Sequence, residues 1–306
     1  MKFFKNFLKS DAFVVLCLLF SMVLFGLSFM FSRLALDSVS AFTLLSWRFF
    51  TAFLLMTLLR VFGMWKINFK RMPISLFCIG LFHPILYFLF ETLGISLTSV
   101  AETGIIISTV PVVSMIMASI FLKENPTRLQ IIAMILSVLG AVVVVLSQSV
   151  LSPTFSLAGY LALFATVISA GLFFIVSRGV TGYSSEAKSY VMMGMGFVAF
   201  TLAALAEHAR DHTVSEWLSL PFRDINFLTA MLYLGALTSV VGTWAQNFSI
   251  ARLGVHRSSA FAGIATVISV LAGVLLLGEP FSLAQGCGMV MILLGVTGVN
   301  QFGQKA

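Results

Sequence analysis

The stretch YFLFETLGIS (87–96) sets one carboxylate, Glu91, among phenylalanine, leucine, tyrosine and glycine. His83 and Tyr87 precede it at four-residue steps, so on a helix the three side chains form one polar stripe. A second isolated charge, Arg48, stands in the apolar run WRFFTAFLL (47–55). A guanidinium and a carboxylate in such surroundings can pair with each other or grip the two ends of a zwitterion. The carboxylate alone can also carry a proton. Burial favours its neutral form and a neighbouring cation its charged form, so whether it carries a proton stays open. Pairing that merely locks two helices together is the structural alternative. WAQNF (244–248) adds Trp244 and Gln246 as candidates for a binding path, although a tryptophan there serves equally as an interfacial anchor.

The elements that position these groups follow from composition. The 306 residues are 59% hydrophobic and 9% charged, with a mean hydropathy of +1.07. That is too little charge to cover a soluble domain of this length, so the bilayer is the solvent. Lys2, Lys5 and Lys9 precede an apolar stretch too long for the core of a signal peptide, which reads as a first span. A span needs about 20 apolar residues. Ten segments qualify: 12–36, 41–62, 74–97, 99–122, 127–147, 156–178, 187–207, 227–250, 255–277 and 281–302. The fold expected is all-α, with ten transmembrane helices. Between the seventh and eighth segments, EWLSLPF (216–222) is expected at the interface through Trp217, Leu218 and Phe222.

Lysine and arginine orient the chain. With the N-terminus inside, the inner connections hold fourteen of the eighteen cations, among them Lys66, Lys70, Arg71, Lys123, Arg252 and Arg257. Both termini are then cytoplasmic, and the net charge of +7 reflects membrane orientation rather than nucleic-acid binding.

The chain repeats itself. FGLSFMFSR (25–33) aligns with AGLFFIVSR (170–178), and FLKENPTRLQ (121–130) with LLGEPFSLAQ (276–285). Glu124 then meets Glu279, Gln130 meets Gln285 and Gly140 meets Gly295. Five spans per half is an odd number, so 1–150 and 151–306 enter the membrane from opposite sides, the inverted repeat of many secondary transporters.

On these features the chain resembles the drug/metabolite transporter superfamily, specifically its EamA-type exporters. The residues that carry the resemblance are WRFFTAFLL, STVPVVSMIMASIFLKE (108–124), the Gly140 region and LLLGEP (275–280). The second half departs from the first in having Thr266 opposite Pro111 and no counterpart of Arg48. The resemblance implies an inner-membrane exporter working by alternating access, with amino acids or related small metabolites as leading substrates. Nucleosides or purines, and cationic drugs, are the rivals.

Depth brings the two charges together. Glu91 lies about 9 Å below the outer end of the third segment, and Arg48 at a similar depth in the second. Arg48, Glu91, Tyr87 and His83 are therefore expected to share one site, with Gln246 and Trp244 opposite them. Pro84 and Pro111 should bend their helices. Glu102 is expected near the outer water, and Glu124 and Glu279 as caps of the helices that follow them. Gly286, Gly288, Gly295 and Gly298 make the last segment a close-packing surface where a homodimer could form. Cys17, Cys78 and Cys287 are small apolar residues in runs. With no phosphate loop, catalytic triad or metal-ligand spacing, an enzyme, ATP, a cofactor and a metal are not expected. The partners expected are a small-molecule substrate and lipid.

Overall fold

A computed structural model describes residues 11–302 except 64, 66–73, 122, 124–125, 152–155, 180–182, 184, 247, 250–251 and 253–260. The described residues form helices and no strand. In hydrocarbon every backbone N–H needs an internal partner, which leaves the helix as the form these apolar runs can take.

The helices in chain order are α1 (Asp11–Leu36), α2 (Ala41–Val61), α3 (Ile74–Gly80, Leu81–Leu86 and Tyr87–Leu97), α4 (Val100–Ile107 and Val110–Phe121), α5 (Arg128–Leu151), α6 (Leu157–Gly179), α7 (Ser185–Arg210), α8 (Val214–Arg223), α9 (Ile225–Leu232 and Tyr233–Gly242), α10 (Ala262–Leu271 and Ala272–Leu276) and α11 (Leu283–Phe302). Eight helices are long and apolar enough to cross a membrane: α1 to α7 and α9. Of the ten expected spans, the last two are shorter apolar helices among the described residues, Gly263–Leu276 and Leu283–Val299. The expected start of the ninth, 255, falls among residues outside those described.

The tightest packing joins helices from opposite halves of the chain. In the α5–α11 pair, Gln130 Nε2 donates to the Val299 carbonyl at 3.2 Å. A Cβ on Gly288 would lie 2.8 Å from the Gly140 carbonyl oxygen, and one on Gly295 would lie 2.6 Å from that of Ala133. Numbers rise on one helix as they fall on the other, so the pair is antiparallel. α2 and α7 run the same way, with Ser40 joined to Glu207 at 2.7 Å and Thr57 to Tyr190 at 3.2 Å. So do α1 and α9 with the stretch that follows it, where Tyr233 donates to Leu24 and Ser249 to Val14, each at 3.0 Å. The contacts also come in matched sets: α1 packs on α10 and α4 on α6, while α2 packs on α9 and α3 on α7.

Three expectations change here. Gly288, Gly295 and Gly298 face α5 of the same chain, so this close-packing surface is filled internally. Trp217 is buried rather than interfacial: its Nε1 donates to Ser46 at 3.1 Å, and its ring stacks on His208. Leu218 and Phe222 of α8 remain exposed. Glu102 is 5% exposed, not solvated. It forms a capping box with Ser99, accepts from Gln285 at 3.5 Å and lies within reach of the Tyr160 hydroxyl. The N-terminal ends of α4 and α11 meet there and cover Glu102.

Candidate functional site

Arg48 lies two turns into α2, which starts at an N-cap: Ser40 Oγ accepts from the Thr43 amide at 3.2 Å. The arginine is 3% exposed and Glu91 is 4% exposed. Their atoms Nη1 and Oε2 stand 3.9 Å apart. At that distance the charges attract strongly for lack of water but do not share a short hydrogen bond. The guanidinium also sits 4.2 Å from the centroid of the Phe88 ring, whose negative face favours a cation. Its Nε donates to Ser239 Oγ of α9 at 3.3 Å.

Each partner arrives through a local feature. Pro84 lacks a donor and disfavours the helical region for the residue before it. His83 accordingly adopts φ −144°, ψ 112°, and α3 passes through a π turn over Leu81–Leu86 before resuming as a regular helix at Tyr87. The bend expected from Pro84 is present, and it interrupts the even stripe. His83 is still brought to the group: its ring centroid lies 4.7 Å from that of Tyr87, 5.2 Å from Phe88 and 5.0 Å from Phe173 of α6. His83 Nδ1 is buried without a hydrogen-bond partner among the described residues. The Tyr87 hydroxyl faces the Glu91 carboxylate within hydrogen-bonding reach. α9 has a π segment of its own, Tyr233–Gly242, where Ser239 Oγ donates five residues back to the Leu234 carbonyl at 2.8 Å. A Cβ on Gly235 would lie 2.8 Å from the Arg48 carbonyl oxygen, so glycine is what lets α9 approach α2 this closely.

Arg48, Glu91, Tyr87 and His83 thus form one cluster. Trp244 and Gln246 do not join it. Trp244 is 45% exposed and stacks on Phe248 at 5.5 Å, beyond the Gly242 end of α9 and well past the bend that carries Ser239. Gln246 is half-buried on the same stretch. Ser239 is the contact that reading the sequence missed. WAQNF drew attention by its large polar groups, whereas LTSVVGT (237–243) offers only small hydroxyls and a glycine.

A second polar cluster lies at the other end of α3. Glu279 accepts from the Val100 amide at 2.7 Å and from the Ala101 amide at 3.0 Å. It is a cap, as expected, but of α4 in the opposite half rather than of α11, which follows it. α11 is capped instead by Ser282 and Gln285, and α5 in matching fashion by Thr127 and Gln130. Glu124 lies outside the described residues. Thr103, Ser108 and Thr109 bond back to carbonyls of α4, which breaks just ahead of Pro111. Arg33 closes the end of α3 by donating to the carbonyls of Ile95 at 2.9 Å and Ser96 at 3.0 Å.

The sequence profile described as "EamA-like transporter family" matches the chain twice, over residues 12–146 and 157–301. The chain belongs to this family. It is a transporter and an integral membrane protein, not an enzyme. The transporter is 32% identical over 288 residues to "Uncharacterized transporter YcxC" of Bacillus subtilis (strain 168), covering 94% of this chain and 92% of that protein. It is 25% identical over 201 residues to a "Probable terminal-alkyne amino-acid exporter" of Streptantibioticus cattleyicolor, covering 64% and 61%. A solved crystal structure with 17% identity superposes at a TM-score of 0.60 over 97% of this chain and 100% of that one, which establishes the fold.

Proposed function

We propose that this transporter exports amino acids or related small metabolites across the cell inner membrane, by alternating access between two inverted five-helix repeats. The repeats are 1–150 and 151–306, with ten spans and both termini cytoplasmic. Two profile matches, antiparallel packing of α5 on α11 and of α2 on α7, and the matched sets of contacts support that architecture. The amino-acid assignment draws on the exporter relative. A site with one guanidinium, one carboxylate and aromatic walls is suited to a zwitterion.

The observation that carries the proposal is the buried Arg48–Glu91 pair at a contact between halves. A charge inside a membrane protein is expensive and marks a path or a partner. This pair is held by attraction rather than a short bond, so a substrate carboxylate can compete for Arg48 while Glu91 receives the ammonium group. Tyr87 and His83 pack beside the pair, both against the Phe88 ring that the guanidinium faces. If export is coupled to protons, Glu91 is the group that carries them. Trp244 and Gln246 stand outside the site.

Purified protein should be screened for thermal stabilisation against amino acids, nucleosides and quaternary amines, since a specific ligand raises the melting temperature. Stabilisation by amino acids alone is the expected result; stabilisation only by nucleosides or amines replaces the substrate class. Glu91→Gln should abolish transport and leave folded protein in the membrane. Transport at the wild-type rate would reduce the pair to scaffolding. A tag at 215 should react from outside and one at 68 from inside.

A further inference from the structure

Away from the Arg48 site, a cavity of about 560 Å³ opens on the flank of the molecule between α3 and α7. Phe53, Phe77, Ile85, Tyr190, Phe197 and Val198 line it. Phe77 and Val198 are 48% and 55% exposed, so the groove faces the surroundings rather than the interior. Its floor is Gly194, where a Cβ would press to 3.1 Å from the Phe53 ring. From Tyr190 to Val198 the groove follows α7 for about 12 Å.

The two ends differ. Toward Val198 the walls are hydrocarbon. At the other end the Tyr190 hydroxyl meets Thr57 Oγ1 at 3.2 Å, and the Arg60 guanidinium carbon lies 5.7 Å from the Tyr190 ring centroid. Arg60 is in the last turn of α2 and is exposed. Glu186 and Lys188 stand in the first turns of α7, and Arg60 adds a cation beside the Tyr190 ring. A walled apolar trough ending at an arginine and a tyrosine matches an acyl chain joined to a phosphate. Arginine and tyrosine are also the side chains that settle at headgroup depth.

We infer that this groove is a binding site for one anionic phospholipid, its acyl chain between α3 and α7 and its phosphate on Arg60. The inference needs only that the chain sits in a membrane and does not depend on the transport reading. Because α3 carries the bend at His83 and Pro84, a lipid seated here braces the helix that presents Glu91.

Native mass spectrometry of the full chain in detergent, titrated with phosphatidylglycerol or phosphatidylethanolamine of identical acyl chains, tests it. One phosphatidylglycerol should be retained in preference to phosphatidylethanolamine and should raise the melting temperature. Arg60→Gln should weaken phosphatidylglycerol about fivefold, the size of one basic side chain's attraction to an anionic lipid, and leave phosphatidylethanolamine unchanged. Val198→Trp, which fills the trough from its exposed side, should weaken both lipids, while Leu294→Trp on the exposed face of α11 should affect neither. Equal retention of the two lipids by the wild type, or retention of phosphatidylglycerol undiminished in Arg60→Gln, overturns the proposal. Should Val198→Trp fail to fold, the Arg60→Gln comparison decides.

Discussion

Two carboxylates of this transporter, Glu91 buried and Glu279 half-buried, are held in different ways. Glu279 accepts two short hydrogen bonds, 2.7 and 3.0 Å, from the first amides of α4. Glu91 faces a cation 3.9 Å away, with Tyr87 one turn before it on the same helix. A helix N-terminus offers fixed donors and a favourable dipole, and letting go of it leaves orphaned amides. A guanidinium is a flexible partner that another anion can claim. The first arrangement builds a joint between halves. The second leaves a charge that a substrate can take over.

Substitutions can break this contrast, and Arg48→Ala should act hardest. It strands Glu91 in apolar surroundings, which costs about 3–5 kcal/mol of unfolding stability, measured in detergent. The double variant Arg48→Met with Glu91→Met should recover most of that stability and no transport. A double variant as unstable as the single one would show that the pair is not what the arginine supports. Gly140→Leu comes next, at about 3 kcal/mol, because the added side chain meets the Gly288 backbone and Ile292 rather than a yielding surface. Glu279→Ala should lose about 1–2 kcal/mol, the usual size of a lost cap, and keep its transport rate per folded molecule. A Glu279→Ala protein that folds fully but does not transport would move this carboxylate from the joint to the path. Ser239→Ala should be mildest, about 1 kcal/mol or less, since it removes one neutral acceptor from a guanidinium that keeps its other partners. Melting curves beside a liposome transport assay read all four.

The pairing of Arg48 with Glu91 was legible because burial of charge is costly: two lone charges at equal depth on neighbouring segments have few other places to go. The bend at Pro84 was legible for the same kind of reason, a missing donor. Ser239 was not, because a serine in a membrane helix most often bonds back to its own backbone, as Ser108 does. Only the π turn and the close approach at Gly235 aim it at Arg48. Glu102 was misplaced because position in a segment says how near a residue lies to water along the helix, not what covers it sideways. Here Gln285 and Tyr160 cover it.

Hydrophobicity, the spacing of apolar runs and the internal repeat are properties of the chain itself, and they determined that this is a helical membrane protein of duplicated plan with a charged pair in its interior. Which helices touch was decided only in three dimensions. Partner choice depends on where small residues let backbones meet: Gly140 with Gly288, Gly94 with Leu163, Gly235 with Arg48. A lone glycine in a sequence does not announce which surface will fill the space it leaves. That is why the glycines of α11 meet α5, and why Glu279 caps a helix in the opposite half.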